Sequence, residues 1–470
     1  MTSIVRSVRR ALAHSRPVDF GAFVRRAGGS GGLVVQPRMG FGGPGPMRTG
    51  LAATRAARAT TVGTITLDSF TRVGELESVE EALRHGVGLN GYPIVTYGTE
   101  VTEAVLDGIR DHRFPVQVRH GSAVPQDIFE RLIELRLNAT EGGPVSYCLP
   151  YGRTALADSI ENWQQCTRRY ATLLEAGVEP HLETFGGCML GQLCPPSMLV
   201  ALSVLEALFF CRYGIRSVSV SYAQQTSAAQ DREAVLALRR LCAELLPTEN
   251  WHVVIYAYMG VYPMTDHGAQ ALLGRAAELA VGTGSERLIV KTVAESRRIP
   301  TVEENVDALE FAGDTAAGSG PVIGDADATD SQTYREARAL VEATLDLDRD
   351  ISRALLLAFR RGFLDIPYCL HPDNRGSCRS YIDGDGRLRW ADTGSLPLGG
   401  LAEGGHSRRV TSAGLLTDLS YMRRRFDEAP PGPAPLPGPR DGAAGAPRTP
   451  LQGATRATVQ PPAKDGAQSR

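Results

Sequence analysis

Short apolar, β-branched runs recur along this chain, separated by longer stretches whose apolar positions repeat every three or four residues. The runs occupy residues 33–37, 62–68, 93–97, 116–120, 181–185, 217–222, 252–258 and 288–292, and each closes on polar residues. Runs of this length and composition predict strands, and the stretches between them, such as 103–111, 126–137, 158–176, 196–213 and 231–246, predict helices with an apolar face. Pro196 falls where a first helical turn accepts proline, since its missing N–H has no partner there in any case. Alternation repeated this often implies a parallel sheet, and its natural closure is an α/β fold, a (β/α)8 TIM-type barrel over residues 31–315. A further run at 138–147 makes nine candidate strands where the barrel takes eight, so one of the nine must lie outside it.

The flanks read differently. Residues 1–30 are Arg-rich without an apolar core, so no secretory signal is expected; the composition could imitate a transit peptide, but a flexible amino-terminal arm is the expectation. Residues 316–331 form a Gly/Ala/Asp-rich loop, and 333–361 read as one long helix or two short ones. The segment 316–426 is expected to be a helical and irregular carboxy-terminal region packing on the barrel. Residues 427–470 are dominated by Pro, Gly and Ala, with too little apolar surface to offset ordering entropy, and predict a disordered tail.

Composition removes several function classes. The formal charge of -2 lacks the clustered positive excess of a nucleic-acid binder. The longest uncharged stretch, 184–205, is interrupted by Pro195-Pro196 and falls short of a membrane span; a cytoplasmic protein is expected. The eight cysteines show no metal-ligand spacing and read as free thiols.

In parallel barrels chemistry collects at the carboxy-terminal strand ends. Those ends carry Arg38, Arg72, Arg119, Glu141 and Lys291. Three guanidiniums at one mouth suit a small dicarboxylate, because each fork grips a carboxylate in its plane; phosphate is the competing ligand, and any single arginine could be a surface residue. Glu141, near Tyr147 and Tyr151, would suit an amino-acid ammonium or serve as a salt-bridge partner for the arginines. His120 follows Arg119 and could line the pocket. Of the 50 basic residues only Lys291 and Lys464 are lysine, so Lys291 at a strand end asks for a compact ammonium. It could form a Schiff base or orient a cofactor by hydrogen bonding. No glycine-rich piece reads as a nucleotide-binding fingerprint.

The segments QPRMGFG, TITLDSFTR, LNGYPIV, VRHG, ATEGGPVSYCLPY, CPPSM, MGVYP, LIVKTVAE and RIPT, followed by GFLDIPY, RGSCRSYID and TGSLP, occur in the order of the epsilon, or catalytic, subunit of glutamate mutase (methylaspartate mutase). The chain resembles that family from about residue 34 to residue 397. The resemblance implies a (β/α)8 barrel that works with adenosylcobalamin, bound together with a small cobalamin-binding sigma subunit, as a homodimer of this chain within a heterotetramer. No Asp-x-His-x-x-Gly cobalamin motif occurs here, so that subunit would be a separate chain. The implied reaction is a radical carbon-skeleton isomerisation of L-glutamate to and from threo-3-methylaspartate.

By the same resemblance Arg38, Arg72 and Arg119 would hold the substrate carboxylates, with Glu141, Tyr147, Tyr151 and His120 completing the substrate site. Lys291 and Glu295 would hold the adenosyl ribose, while Gly40, Asn90, Pro150, Tyr262 and Ile299 match further cofactor-facing positions. Glu141, Lys291 and Glu295 are the expected catalytic groups. One departure stands out: Tyr256, in YAYMGVYP, takes the place of a histidine found in the family. The alternatives are a mutase acting on a glutamate analogue, a Lys291 Schiff-base lyase or aldolase acting on a keto diacid, and a mutase-like protein that binds without turnover.

Overall fold

The computed structural model describes residues 17–29, 32–150, 152–186, 193–320, 330–402 and 410–430. Eight of the nine candidate runs become strands: β1 (Val34–Gln36), β2 (Gly63–Thr66), β3 (Val116–Arg119), β4 (Ala139–Gly142), β5 (His181–Thr184), β6 (Ser217–Ala223), β7 (Trp251–Tyr256) and β8 (Arg287–Ile289). They form one sheet in the order β1-β8-β7-β6-β5-β4-β3-β2. A parallel bridge between Val35 and Thr61, with Val35 N donating to Thr60 O at 2.9 Å, joins β1 to the entry of β2 and closes the ring.

The excess candidate is 93–97. Pro93 has no N–H for a ladder, and Tyr97 N donates back to Pro93 O at 3.1 Å, so the run is a turn that buries Tyr92 and Ile94. The helix expected at 103–111 runs instead over Thr99–Leu106, since Gly108 takes a left-handed conformation (φ +68°) and the chain turns there. The helices Gln126–Glu134, Leu156–Ala171, Pro196–Arg212 and Ala228–Leu245 lie close to their expected places. Pro196–Arg212 is apolar on every side because barrel strands cover one face and the helix Gln332–Leu345 covers another. Among the described residues no helix is long and apolar enough to cross a membrane.

Part of the segment expected to be a flexible arm is a helix, Phe20–Gly29, packed under the amino-terminal end of the barrel. Its Phe20 and Val24 cluster with Val34, Val62 and Ala139, with Phe23 and Ala27 alongside, so the i, i+3, i+4, i+7 spacing buries one stripe. Gly21 is required there, because a Cβ would fall on the Ser217 hydroxyl.

The region 333–361 is two helices, Gln332–Leu345 and Ile351–Arg361, the second capped by Asp350 Oδ1 accepting from Ser352 N at 2.8 Å. An antiparallel pair, β9 (Arg379–Ile382) and β10 (Leu388–Asp392), follows. Asp365, fully buried, accepts from Gly376 N (2.6 Å), Ser377 N (2.7 Å) and Cys378 N (2.9 Å). The boundary expected at 427 cuts a helix that ends in an anchor: Asp427 Oδ1 accepts from Met264 N (3.0 Å) and Thr265 N (2.9 Å). The rest of the expected tail, from residue 431, lies outside the described residues.

Alternate residues of each strand face the barrel axis, and here the middle layer is polar. Gln36 donates to Thr64 Oγ1 (2.9 Å) and Gln117 Oε1 (2.7 Å), and Gln117 donates to Glu183 Oε2 (3.1 Å). Ser219 Oγ also donates to Glu183 (2.9 Å), and Arg287 forms an ion pair with the same carboxylate. Below this layer His181 and His252 stack with ring centroids 5.2 Å apart, and Phe20 covers His181. A charged pair in a barrel core is tolerable because every layer partner supplies a hydrogen bond.

Candidate active site

The strand ends above this polar layer bring most of the expected residues together. Arg119, the last residue of β3, is buried and donates from Nε to Glu141 Oε2 at 2.7 Å. Glu141 lies in β4, and its other oxygen accepts from the Tyr147 hydroxyl. Tyr256, at the end of β7, donates to Glu141 Oε2 at 2.6 Å, and the Arg119 guanidinium lies 5.2 Å from the centre of its ring. Glu141 and its tyrosines hold the Arg119 guanidinium above its ordinary range, although burial alone would lower it. Arg119 is therefore a permanent cation aimed across the mouth.

The second cluster lies one strand round. Arg38, two residues past β1, and Lys291, two past β8, both reach Glu295 Oε1 at 3.0 Å. Burial would raise the Glu295 carboxyl, but Lys291 and then Arg38 outweigh it, so the group stays below the usual carboxylate range. Lys291 Nζ also lies 4.9 Å from the Tyr262 ring centroid, a cation–π contact. Arg119 contributes to the Glu295 shift as well, so the two clusters share one field. Arg72, on the short helix after β2, donates from Nε and Nη2 to Leu67 O at 3.0 and 2.8 Å. Its charge reaches His120.

His120 is boxed by Trp163, Tyr147 and Phe129, with centroid separations of 5.7, 5.1 and 6.1 Å. Burial, with the Arg72 charge adding, pushes it down to about 3. Its Nδ1 accepts from Ser122 N at 3.1 Å, so the neutral ring carries its proton on Nε2.

A cavity of 530 Å³ opens beside the second cluster, lined by Arg38, Gly40, Thr66, Asn90, Glu295 and Ile299 among others. Asn90 Oδ1 accepts from Ser69 N at 2.9 Å, and Gly40 has no room for a Cβ against the Thr66 main chain. Arg38 Nε, Thr66 Oγ1 and Ser296 Oγ, all of residues lining this cavity, are buried without a hydrogen-bond partner. A ligand bearing hydroxyls or other acceptors would complete them. Pro150 instead lines a separate 610 Å³ cavity with Leu149, Tyr368 and Cys369. Tyr151 lies outside the described residues.

Three residues that support the site escaped the strand-end reading. Glu183 sits one layer deeper, within hydrogen-bond reach of Tyr256. Arg287 pairs with it. Glu206, on the helix Pro196–Arg212, accepts from Val145 N (3.1 Å), Ser146 N (2.9 Å) and Ser146 Oγ (2.9 Å), fixing the loop that carries Tyr147. A charged residue inside a run of apolar helical positions was the available signal for Glu206. For Glu183 it was a carboxylate in the middle of a buried strand. Among the described residues no group of three or more His, Cys, Asp and Glu is placed to hold a metal.

Comparison with known proteins identifies the family. The sequence model of the methylaspartate mutase E chain matches residues 16–418. The glutamate mutase epsilon subunit of Yersinia enterocolitica is 30% identical over 349 residues, covering 71% of this chain and 72% of the relative. That of Haloarcula marismortui is 32% identical over 344 residues, covering 71% and 70%. That of Desulfitobacterium hafniense is 28% identical over 365 residues, covering 74% and 75%. With a family match over most of its length and relatives about 30% identical over more than two thirds of theirs, the chain belongs to the methylaspartate mutase E chain family.

Proposed function

We propose that this chain is the catalytic subunit of an adenosylcobalamin-dependent glutamate mutase, interconverting L-glutamate and threo-3-methylaspartate. The observation that carries the reading is the pairing of two charged clusters, Arg119–Glu141–Tyr147 and Arg38–Glu295–Lys291, at one barrel mouth in a member of this family. Arg38, Arg72 and Arg119 hold the two substrate carboxylates; as guanidiniums they position and do not transfer protons. Glu141 faces the substrate ammonium, with Tyr147 and Tyr151 beside it. His120, neutral in its aromatic box, forms a wall that adds no charge.

Lys291 and Glu295 hold the adenosyl ribose, and Gly40, Asn90, Tyr262 and Ile299 shape the space around it, with Pro150 on the neighbouring cavity. The unpartnered polar atoms of Arg38, Thr66 and Ser296 fit a hydroxyl-rich group in that position. Adenosylcobalamin supplies, when bound, the 5'-deoxyadenosyl radical that takes hydrogen from the substrate. The chain's own contribution is to clamp both carboxylates so that the reacting carbon skeleton keeps its orientation, and to exclude water. Val73, Val124, Val261, Met264 and Ile299 are exposed apolar residues in segments that follow barrel strands, and they suit a docking rim for a small cobalamin-binding subunit.

The Schiff-base reading of Lys291 is the weaker one. Its Nζ is engaged with Glu295 at 3.0 Å, whereas a Schiff-base lysine must be free and neutral to attack a carbonyl. The deciding experiment is an anaerobic assay with adenosylcobalamin, a cobalamin-binding small subunit and L-glutamate, following 3-methylaspartate by mass spectrometry and Co(II) by electron paramagnetic resonance. Product and radical that require all three components are expected. Their absence from well-folded protein with a competent partner would overturn the proposal, and borohydride trapping of a substrate adduct would favour the Schiff base.

A further inference from the structure

The loop after β4 carries Tyr147 to Glu141, and two distant parts of the chain grip it on either side of that residue. Glu206 holds the side before it, accepting from Val145 N, Ser146 N and Ser146 Oγ. The side after it is held by a segment 217 to 220 residues further along the chain. His371, with a side chain only 1% exposed, accepts at Nδ1 from Asp373 N (3.1 Å), which places the ring proton on Nε2, where it donates to Thr154 O at 3.0 Å. Cys369 Sγ donates weakly to Leu149 O at 3.5 Å. Asp373 Oδ2 accepts from Leu156 N at 2.7 Å and so satisfies a free amide at the start of the helix Leu156–Ala171. That helix returns two supports to the loop: Ser159 Oγ donates to Pro144 O at 2.7 Å, and the Trp163 ring meets the edge of Tyr147.

The holding segment is itself tied down. Asn374 Oδ1 accepts from Ile366 N (2.8 Å), and its Nδ2 donates to Ile366 O (3.0 Å) and Cys369 O (3.1 Å), which closes residues 366–374 into a compact loop. Asp365 fastens the amides of Gly376, Ser377 and Cys378 below it. Tyr368 takes a left-handed conformation (φ +63°), and its hydroxyl is anchored on Ser380 O at 2.5 Å. An aromatic residue keeps such a conformation only where its surroundings impose it, and strain of this kind is characteristic of segments whose position matters.

We propose that residues 365–378 are a brace for the loop after β4, and that His371 and Asp373 are positioning residues for Tyr147 and, through it, for Glu141. This rests on the reading of Glu141 as the partner of the substrate ammonium. Tyr147 stands between a fixed point at Ser146 and a second one at Leu149 to Leu156. With the first alone, the loop pivots about Ser146 and carries the phenol away from the Glu141 carboxylate. Arg38 and Arg72 lie on other strand ends and do not depend on this loop. Loss of the brace therefore weakens recognition of the ammonium while leaving the carboxylate grip in place.

Two measurements test this. The first is amide hydrogen exchange of the full-length chain, read by mass spectrometry. Asp373→Ala and His371→Ala should speed exchange across residues 143–150 about tenfold, with the barrel strands unchanged. The second is calorimetric binding of L-glutamate and of glutarate, which has the same two carboxylates and no ammonium, to the chain reconstituted with a cobalamin-binding subunit and cyanocobalamin, which does not support turnover. Both variants should bind L-glutamate about tenfold more weakly and glutarate as the wild type does. Asp373→Asn keeps an acceptor for Leu156 N and should match the wild type in both measurements. The Asp373 side chain is 42% exposed, so Asp373→Ala decides the matter if His371→Ala folds poorly. Unchanged exchange across residues 143–150, faster exchange with unchanged L-glutamate affinity, equal weakening of both ligands, or an Asp373→Asn protein as impaired as Asp373→Ala would each overturn the brace while leaving the mutase reading standing. A wild-type complex that binds neither ligand would instead remove the mutase reading, and with it the role of the brace in substrate recognition.

Discussion

Glu183 on β5 and Arg287 on β8 form an ion pair with no exposed surface, at the level of the barrel where branched aliphatic side chains ordinarily interlock. The pair is held by a ring of hydrogen bonds rather than by packing alone: Arg287 donates to Gln36 Oε1, and Gln117 and Ser219 donate to Glu183. Removing one partner strands a buried charge. Arg287→Ala is therefore expected to lower stability by about 3–5 kcal/mol. Replacing both residues together with apolar ones, as in Glu183→Leu with Arg287→Met, should cost less than the sum of the single changes. Urea unfolding of the three variants measures this, and a loss below about 1 kcal/mol for Arg287→Ala would show that the pair is not desolvated as described.

Arg119→Lys tests the proposed substrate clamp. An ammonium can neither reproduce the planar fork nor reach Glu141 and a substrate carboxylate together. The expected result is a higher KM and a lower kcat, with kcat/KM reduced about 10- to 100-fold, or roughly 1.4–2.7 kcal/mol of transition-state stabilisation. Steady-state kinetics of the reconstituted complex reads it directly. Unchanged parameters would remove Arg119 from the site.

Much of the mouth was legible because parallel barrels put chemistry where strands end. Arg119 closes a strand, Glu141 is the next to last residue of one, and Arg38 and Lys291 follow theirs by two residues. Arg72 was legible for the same reason, although it reaches the mouth from a short helix begun by the Asp68 cap. The inner polar layer was not legible. Gln36, Gln117 and Glu183 occupy alternate positions of short strands, and without the register their side chains look like those of any half-exposed strand. The run at 93–97 misled because composition sees Ile94 and Val95 but not the main-chain turn that Pro93 allows. The stripe Phe20, Phe23, Val24, Ala27 was visible in the sequence, but the surrounding arginines concealed it.

Gly143 ties the site loop to its support. A Cβ at this position would fall on the Glu206 carboxylate, which holds Val145 and Ser146 in place. Gly143→Ala must displace either the carboxylate or the loop, at a cost of about 1–3 kcal/mol. Because Tyr147 follows directly and donates to Glu141, turnover should fall several-fold more than the stability loss alone would produce. Thermal unfolding and kinetics on the same preparation separate the two effects, and a variant with normal kcat would show that the loop does not position Tyr147.

Glu206 also sets an acid-side contribution to stability. Burial pushes its carboxyl up to about 7, against the lowering effect of the Ser146 and Val145 hydrogen bonds. A carboxyl raised in the folded state binds its proton more tightly there than in the unfolded chain. Its contribution is therefore fully present below the unfolded value, near 4.5, and is lost as pH rises through about 7. His181 and His252 act in the opposite direction: burial first, then Arg287, holds both well below their ordinary range, so they withdraw stability as pH falls below about 6.5. The two effects overlap between pH 5 and 7 and mask each other in the wild-type profile. Glu206→Gln removes one of them. The stability difference between wild type and variant, from urea unfolding at each pH, should grow in favour of wild type by on the order of 2 kcal/mol between pH 7 and pH 5. A difference that stays flat over that window would mean that Glu206 remains ionised in the folded protein, with the main-chain N–H groups of its loop outweighing its burial.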